Sequence, residues 1–136
     1  MCGIINKEIL LNCNGTEYIK TMNAKELRLG NLIFNRNSIV RVNYKRLGGI
    51  TSGNNEFTPI PLTEEWLLKF GFNINKSVEE FIYWKKFDMI LDFELFRKIG
   101  FDVFYIETRF NTVQINTVHQ LQNLYFALTG EELEIK

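Results

Sequence analysis

The sequence predicts an α+β fold. Three observations carry that reading. Short β-branched and aromatic runs separated by Gly and Asn turns fill residues 31–58. Apolar and polar residues alternate with a period of two through residues 87–95. One late stretch, 117–130, has helical spacing with its own start and stop signals.

Patterning opens at Met22. Residues 1–21 are therefore set apart as an N-terminal extension or a non-native start, and residues 22–136 are expected to form one α+β domain. Within the extension, Ile4-Ile5 and Ile9-Leu10-Leu11 have strand character and Asn12 to Gly15 reads as a turn. Asn31 to Phe34 is expected as a short strand, Asn35-Arg36-Asn37-Ser38 as a turn and Ile39 to Tyr44 as the return strand. Parity then puts Val40, Val42 and Tyr44 on one face and Arg41 on the other. Leu47 to Thr51 follows as a third strand, with Gly48-Gly49 and Ser52-Gly53-Asn54-Asn55 punctuating the bends. Strands this short, with turns this close, point to a small curled antiparallel sheet of SH3-like form.

Thr63 has the chemistry to cap a short helix, and Leu62 before it is placed to staple onto Leu67. Gly71 is the expected stop, with Phe72 folding back, and Trp66 and Phe70 share a face at i and i+4. Phe81 to Lys85 reads as a strand. Phe87, Met89, Leu91, Phe93 and Leu95 line one side of the next, Arg97-Lys98-Ile99-Gly100 turns, Phe101 to Ile106 returns and Thr112 to Ile115 pairs after it. The second half is thus an antiparallel meander. The chain closes with a C-terminal amphipathic helix. Thr117 and Gln120 make its capping box, Val118, Leu121, Leu124, Tyr125 and Leu128 its apolar stripe, and Gly130 its end.

Composition limits the function classes. Formal net charge is zero, but its distribution is uneven. Residues 22–58 hold Lys25, Arg28, Arg36, Arg41, Lys45 and Arg46 against Glu26 and Glu56, whereas residues 59–136 hold eight basic and twelve acidic side chains. A duplex binder ordinarily carries a strong basic excess, so long nucleic acid is disfavoured and a small anionic ligand is permitted. Twelve Phe, five Tyr and two Trp are enough to fill a core and leave rings for a surface. Cys2 and Cys13 stand alone, as in a reduced cytoplasmic protein. No apolar run is long enough to span a membrane.

Catalytic signatures are missing. His119 is the single histidine, which disfavours a His-built metal site or a Ser-His-Asp triad, and no P-loop, GxSxG, HExxH or GxGxxG occurs. Asp88, Asp92 and Glu94 share a strand parity, which fits a solvated face better than a cation site. No cofactor, metal or catalytic residue is expected. The candidate binding residues are Arg41, Lys45 and Arg46 for phosphate, Tyr44 and Trp84 for a base, and His119 with Asn123 as the polar side of a pocket. Each has a plainer alternative. Strand Arg and Lys keep sheet edges apart, Gly48-Gly49 serves a bend as well as a phosphate, and His119 fits a packed second-layer position.

Met22-Asn23-Ala24-Lys25-Glu26-Leu27-Arg28-Leu29-Gly30-Asn31, the block Pro61 to Phe72 (PLTEEWLLKFGF) and the block His119 to Leu133 (HQLQNLYFALTGEEL) together resemble a family of small uncharacterised proteins of Bacteroides genomes, prophages and phages. That resemblance covers residues 22–134 and supplies no catalytic or binding residues. It implies a phage or prophage protein acting in the host cytoplasm, directed against host defence or toward host takeover. Taken with the composition, the expected function is a non-enzymatic sponge that sequesters a small cyclic nucleotide messenger, most effectively as a homo-oligomer. The alternatives are a nucleic-acid-binding accessory protein and a protein-binding inhibitor of a host factor.

Overall fold

In the computed structural model the described residues are 22–86, 94–107 and 111–136, with the backbone of three short strands before them. Those strands, β1 (Gly3–Ile4), β2 (Ile9–Leu11) and β3 (Glu17–Ile19), form an antiparallel sheet of their own in the order β1-β2-β3. The chain packs as two compact units, Met1–Pro61 with Thr117–Asn123, and Leu62–Asn116 with Leu124–Lys136.

In the first unit a 3-10 turn at Ala24–Glu26 is capped by Asn23, whose side chain accepts from the Lys25 N–H. Strands β4 (Leu32–Asn35), β5 (Ser38–Arg41) and β6 (Phe57–Thr58) form an antiparallel sheet in the order β5-β4-β6. The turn between β4 and β5 falls at Arg36-Asn37, and Arg36 adopts φ +55°. The expected third strand at Leu47–Thr51 is instead part of a helix, α1 (Tyr44–Thr51), and the return strand ends at Arg41 rather than Tyr44. Asn43 decides the difference. Its extended backbone and a side-chain oxygen accepting the Arg46 N–H at 2.8 Å start the helix. Gly48 and Gly49 each cost a helix interior about 1 kcal/mol relative to Ala. Ile50 and the partly buried Leu47 offset that cost by packing with Leu27, Ile33, Val42 and Phe57.

In the second unit α2 (Glu64–Lys69) starts and stops as its sequence requires. The Thr63 side chain accepts the Trp66 N–H, and Leu62 and Leu67 are both buried, as a staple needs. At its end Gly71 has φ +87°, its N–H reaches the Leu68 carbonyl at 3.0 Å, and the Phe72 N–H reaches the Leu67 carbonyl at 2.9 Å. Those paired bonds make a Schellman motif. Trp66 and Phe70 rings lie 5.7 Å apart.

The meander is present as five antiparallel strands: β7 (Asn73–Val78), β8 (Phe81–Lys85), β9 (Glu94–Lys98), β10 (Phe104–Glu107) and β11 (Thr112–Ile115), in the order β11-β10-β9-β8-β7. Strand β7 carries just Ile74 and Val78 as apolar residues in a polar run, all of it exposed, and so left no core pattern to read. Arg97 and Lys98, expected in a turn, continue β9; Ile99-Gly100 turns instead, with Gly100 at φ +89°. The return strand starts at Phe104, not Phe101. Residues 87–93 of the alternating run lie outside the described residues.

Helix α3 (Val118–Thr129) contributes its start to the first unit and its end to the second. The capping box is closed in both directions: the Thr117 N–H donates to Gln120 Oε1 at 3.2 Å and the Gln120 N–H to Thr117 Oγ1 at 3.3 Å. Val118, Leu121 and Tyr125 are buried, whereas Leu124 is half-buried and Leu128 exposed, so the stripe is narrower than its spacing implies. Past Gly130, Leu133 is buried in the second unit, and the Lys136 N–H bonds the Lys69 carbonyl at 2.8 Å.

Candidate functional site

The end of β5 and the first turn of α1 bring four of the sequence-selected residues together. Arg41 closes the strand, Asn43 caps the helix, and Tyr44, Lys45 and Arg46 fill its first turn. Arg41 Nη1 donates to the Gly30 carbonyl at 3.2 Å, and Arg46 Nη1 donates to the Arg41 carbonyl at 3.1 Å. Both guanidiniums are thereby positioned by backbone. Lys45 is exposed, and the Tyr44 ring is 81% exposed.

The electrostatics of this turn run against helix stability. A helix start carries about half a positive charge and favours acids in its first turn. Here the first turn holds no acid and two cations, with Arg41 beside them. Each such cation costs roughly 0.3–1 kcal/mol at an exposed terminus. The Tyr44 and Lys45 amides head the ladder with no helical carbonyl before them. The turn therefore presents positive charge, amide donors and one uncovered ring.

Gly48 and Gly49 are not part of it. They lie inside α1, where an amide is committed to the carbonyl four residues back, so they form no phosphate cradle. Arg36 also stands apart, paired to Glu56 at 2.6 Å.

His119 and Asn123 serve a different purpose. His119 is fully buried, with Nε2 3.5 Å from both Thr117 Oγ1 and Glu26 Oε2. Asn123 donates to the Glu26 carbonyl at 2.7 Å and accepts from Asn31 Nδ2 at 2.9 Å and Arg28 Nη1 at 3.3 Å. Gln122, buried beside them, accepts the Leu32 N–H at 2.8 Å. The polar side of α3 thus staples the segment from Glu26 to Leu32 within the first unit, a use of polar side chains that residue type alone does not distinguish from a pocket wall.

Trp84, expected to stack on a base, is 2% exposed on the inner side of the five-stranded sheet, opposite Leu95. It has no uncovered face. Parity along β8 explains the placement, because Tyr83 and Lys85 point to the other side.

No family model, curated protein or solved structure matches this chain. Function is therefore read from the residues themselves. Among the described residues no group of three or more His, Cys, Asp or Glu is placed to hold a metal ion, and no helix is long and apolar enough to cross a membrane. Of the acidic trio, Asp88 and Asp92 lie outside the described residues; Glu94 is tied to Lys76 and Asn75.

The sequence marks Tyr83-Trp84-Lys85-Lys86-Phe87 as a mixture of rings and cations, but not Phe96 and Tyr105, which join Tyr83 in a row of rings on the outer side of the same sheet. The signal was there in the alternation Phe81, Tyr83, Lys85. It was obscured because Phe96 fell between an expected strand and an expected turn.

Proposed function

We propose that this is a non-enzymatic binding protein that captures a small anionic ligand, a nucleotide, at the turn joining β5 to α1. The observation that carries the reading is the first turn of α1, where Lys45 and Arg46 stand at the positive end of a helix beside Arg41, with the Tyr44 ring exposed. An arrangement that costs helix stability is economically explained by an anion that relieves it. The ring supplies a face for a base, and the cations supply phosphate contacts. The one histidine, His119, is fully buried beside Thr117 and Glu26, away from an exposed ligand at this turn. Binding without turnover is the behaviour of a sponge. The family resemblance gives that behaviour a setting, a phage or prophage protein that lowers a cyclic nucleotide immune messenger in the cytoplasm of a bacterial host. A homo-oligomer would raise the number of such turns per particle.

Calorimetry against cyclic di- and trinucleotides and cyclic ADP-ribose isomers tests this. A saturable ligand is expected, with Arg41→Ala weakening it by about 1.5–3 kcal/mol, the scale of a lost charge-assisted hydrogen bond. The ligand should return chemically intact after denaturation. Recovery of a hydrolysed product would overturn the sponge in favour of an enzyme, and heat-silent titrations with all of these ligands would remove the nucleotide.

A further inference from the structure

The outer side of the five-stranded sheet holds a feature that the proposed sponge does not use. Antiparallel sheets with one side on a core ordinarily show polar residues on the other. The inner side here is filled by Trp84, Leu95, Phe104, Ile106 and Ile115, all buried. Across the outer side runs a row of rings in direct register, Tyr83 on β8, Phe96 on β9 and Tyr105 on β10. Their centroids are spaced 5.7 and 5.6 Å apart with interplanar angles of 33° and 26°. Nearly parallel rings in full facial contact lie about 3.5–4 Å apart. At the observed spacing they are shingled, and each is half-buried, so part of each ring is open. Phe81 sits edge-on to Phe96 at 6.0 Å and extends the cluster.

Lysines border this row on three sides. Lys76 lies beyond Tyr83, its Nζ 4.7 Å from the ring centroid. Lys98 stands opposite Phe81 in register on one flank, and Lys85 follows Tyr83 by two residues on the other. Lys76 contacts Glu94, which is half-buried, at 3.6 Å, and Lys98 contacts Glu80 at 3.2 Å as an exposed ion pair. An exposed pair such as Lys98–Glu80 is worth about 0–1 kcal/mol, so a phosphate can replace the Glu80 carboxylate at little cost. Two acids share this side: Glu94, opposite Lys85 in register and two residues before Phe96, and Glu107, two residues beyond Tyr105.

The geometry points to a binding surface for single-stranded nucleic acid, with bases on Tyr83, Phe96 and Tyr105 and phosphates on Lys76, Lys85 and Lys98. Stacking needs uncovered base faces, which a duplex does not offer, so the surface selects single strands. It needs no basic excess over the whole chain, because the cations are local to the rings. Glu107 limits the footprint to a few nucleotides and sets its direction, phosphates toward β7 and β9 and away from the end of β10. This surface lies wholly in the second unit and stands independently of the turn at α1.

Fluorescence anisotropy of a short labelled oligothymidylate, with a duplex of the same length as control, tests it on the full chain. The single strand is expected to bind at low salt and the duplex not to. Phe96→Leu and Tyr105→Leu keep the surface apolar and should each weaken binding about tenfold. Lys76→Gln and Lys98→Gln, on exposed side chains, leave the core untouched and should each flatten the salt dependence by a slope of about 0.7. Glu107→Gln should tighten binding. Absence of single-strand binding overturns the assignment. So does binding that survives Phe96→Leu and the lysine variants but fails with Arg41→Ala, which moves it to the α1 turn. If the ring variants change sedimentation and leave anisotropy unaltered, the face joins copies of the chain and binds no nucleic acid.

Discussion

The two units treat side chains of the same type in opposite ways. In the first, the polar residues His119 and Gln122, both buried, and the half-buried Asn123 are turned into staples for the Glu26–Leu32 segment, and charge collects at one turn around Arg41, Lys45 and Arg46. In the second, aromatic residues of a single strand are divided by parity. Trp84 enters the core while its neighbour Tyr83 joins the outer row. Residue type therefore does not assign a role here. Position within the element does, together with the partner opposite.

The sharpest contrast lies within β8. Trp84→Ala removes a fully buried ring and should cost about 3–5 kcal/mol in urea denaturation. Tyr83→Ala removes one half-buried member of a cross-strand pair and should cost about 1 kcal/mol, mostly through its pairing with Phe96. Similar losses at both positions would mean that the two sides of this sheet are equally covered. A second contrast separates staple from surface among glutamines. Gln122→Ala strands the Leu32 N–H in a buried setting and should cost about 1–3 kcal/mol. Gln114→Ala, on the exposed edge strand β11, should fall within roughly 0.5 kcal/mol of the parent.

Legibility followed local signals. The helix start at Thr63, the stop at Gly71, the capping box of Thr117 and Gln120, and the strands Phe81–Lys85 and Thr112–Ile115 were all readable, because each is specified by residues within a few positions of one another. Strand Leu47–Thr51 was misread because Leu47, Ile50 and two glycines fit a bent strand as well as a helix, and the decision rested on the Asn43 side chain bonding back to Arg46. The stripe on α3 was overestimated at Leu124 and Leu128, since spacing marks a face without saying how much of it is covered. Of the candidate site, Arg41, Tyr44, Lys45 and Arg46 do gather at one turn. His119, Asn123 and Trp84 depart from it because their partners are distant in sequence: Glu26, Asn31 and Leu95.

Glycines give a finer test of the same principle. At Gly71 φ is +87°, and an added Cβ would lie 2.9 Å from Lys136 Cδ. The side chain of Lys136 has room to yield at its far end, but the backbone conformation does not suit an L residue, so Gly71→Ala should cost roughly 1–2 kcal/mol. A thermal melt unchanged from the parent would mean that α2 does not end in the Schellman motif.

Gly48→Ala should do the reverse, with a smaller effect. A Cβ there meets nothing within 4 Å, and the residue lies inside α1 with no left-handed backbone to accommodate. Alanine loses less backbone entropy on folding than glycine, so this change should stabilise the chain by about 0.5–1 kcal/mol. The sign discriminates between the two readings of this segment. Were Gly48-Gly49 a left-handed bend between strands or a close phosphate cradle, the added methyl would be strained or would block the ligand. Measured on one variant, a raised melting temperature with unchanged ligand affinity supports the helix with its anion site confined to the first turn. A lowered melting temperature, or stability retained with affinity lost, would return the glycines to the site and displace Arg41, Lys45 and Arg46 from its centre.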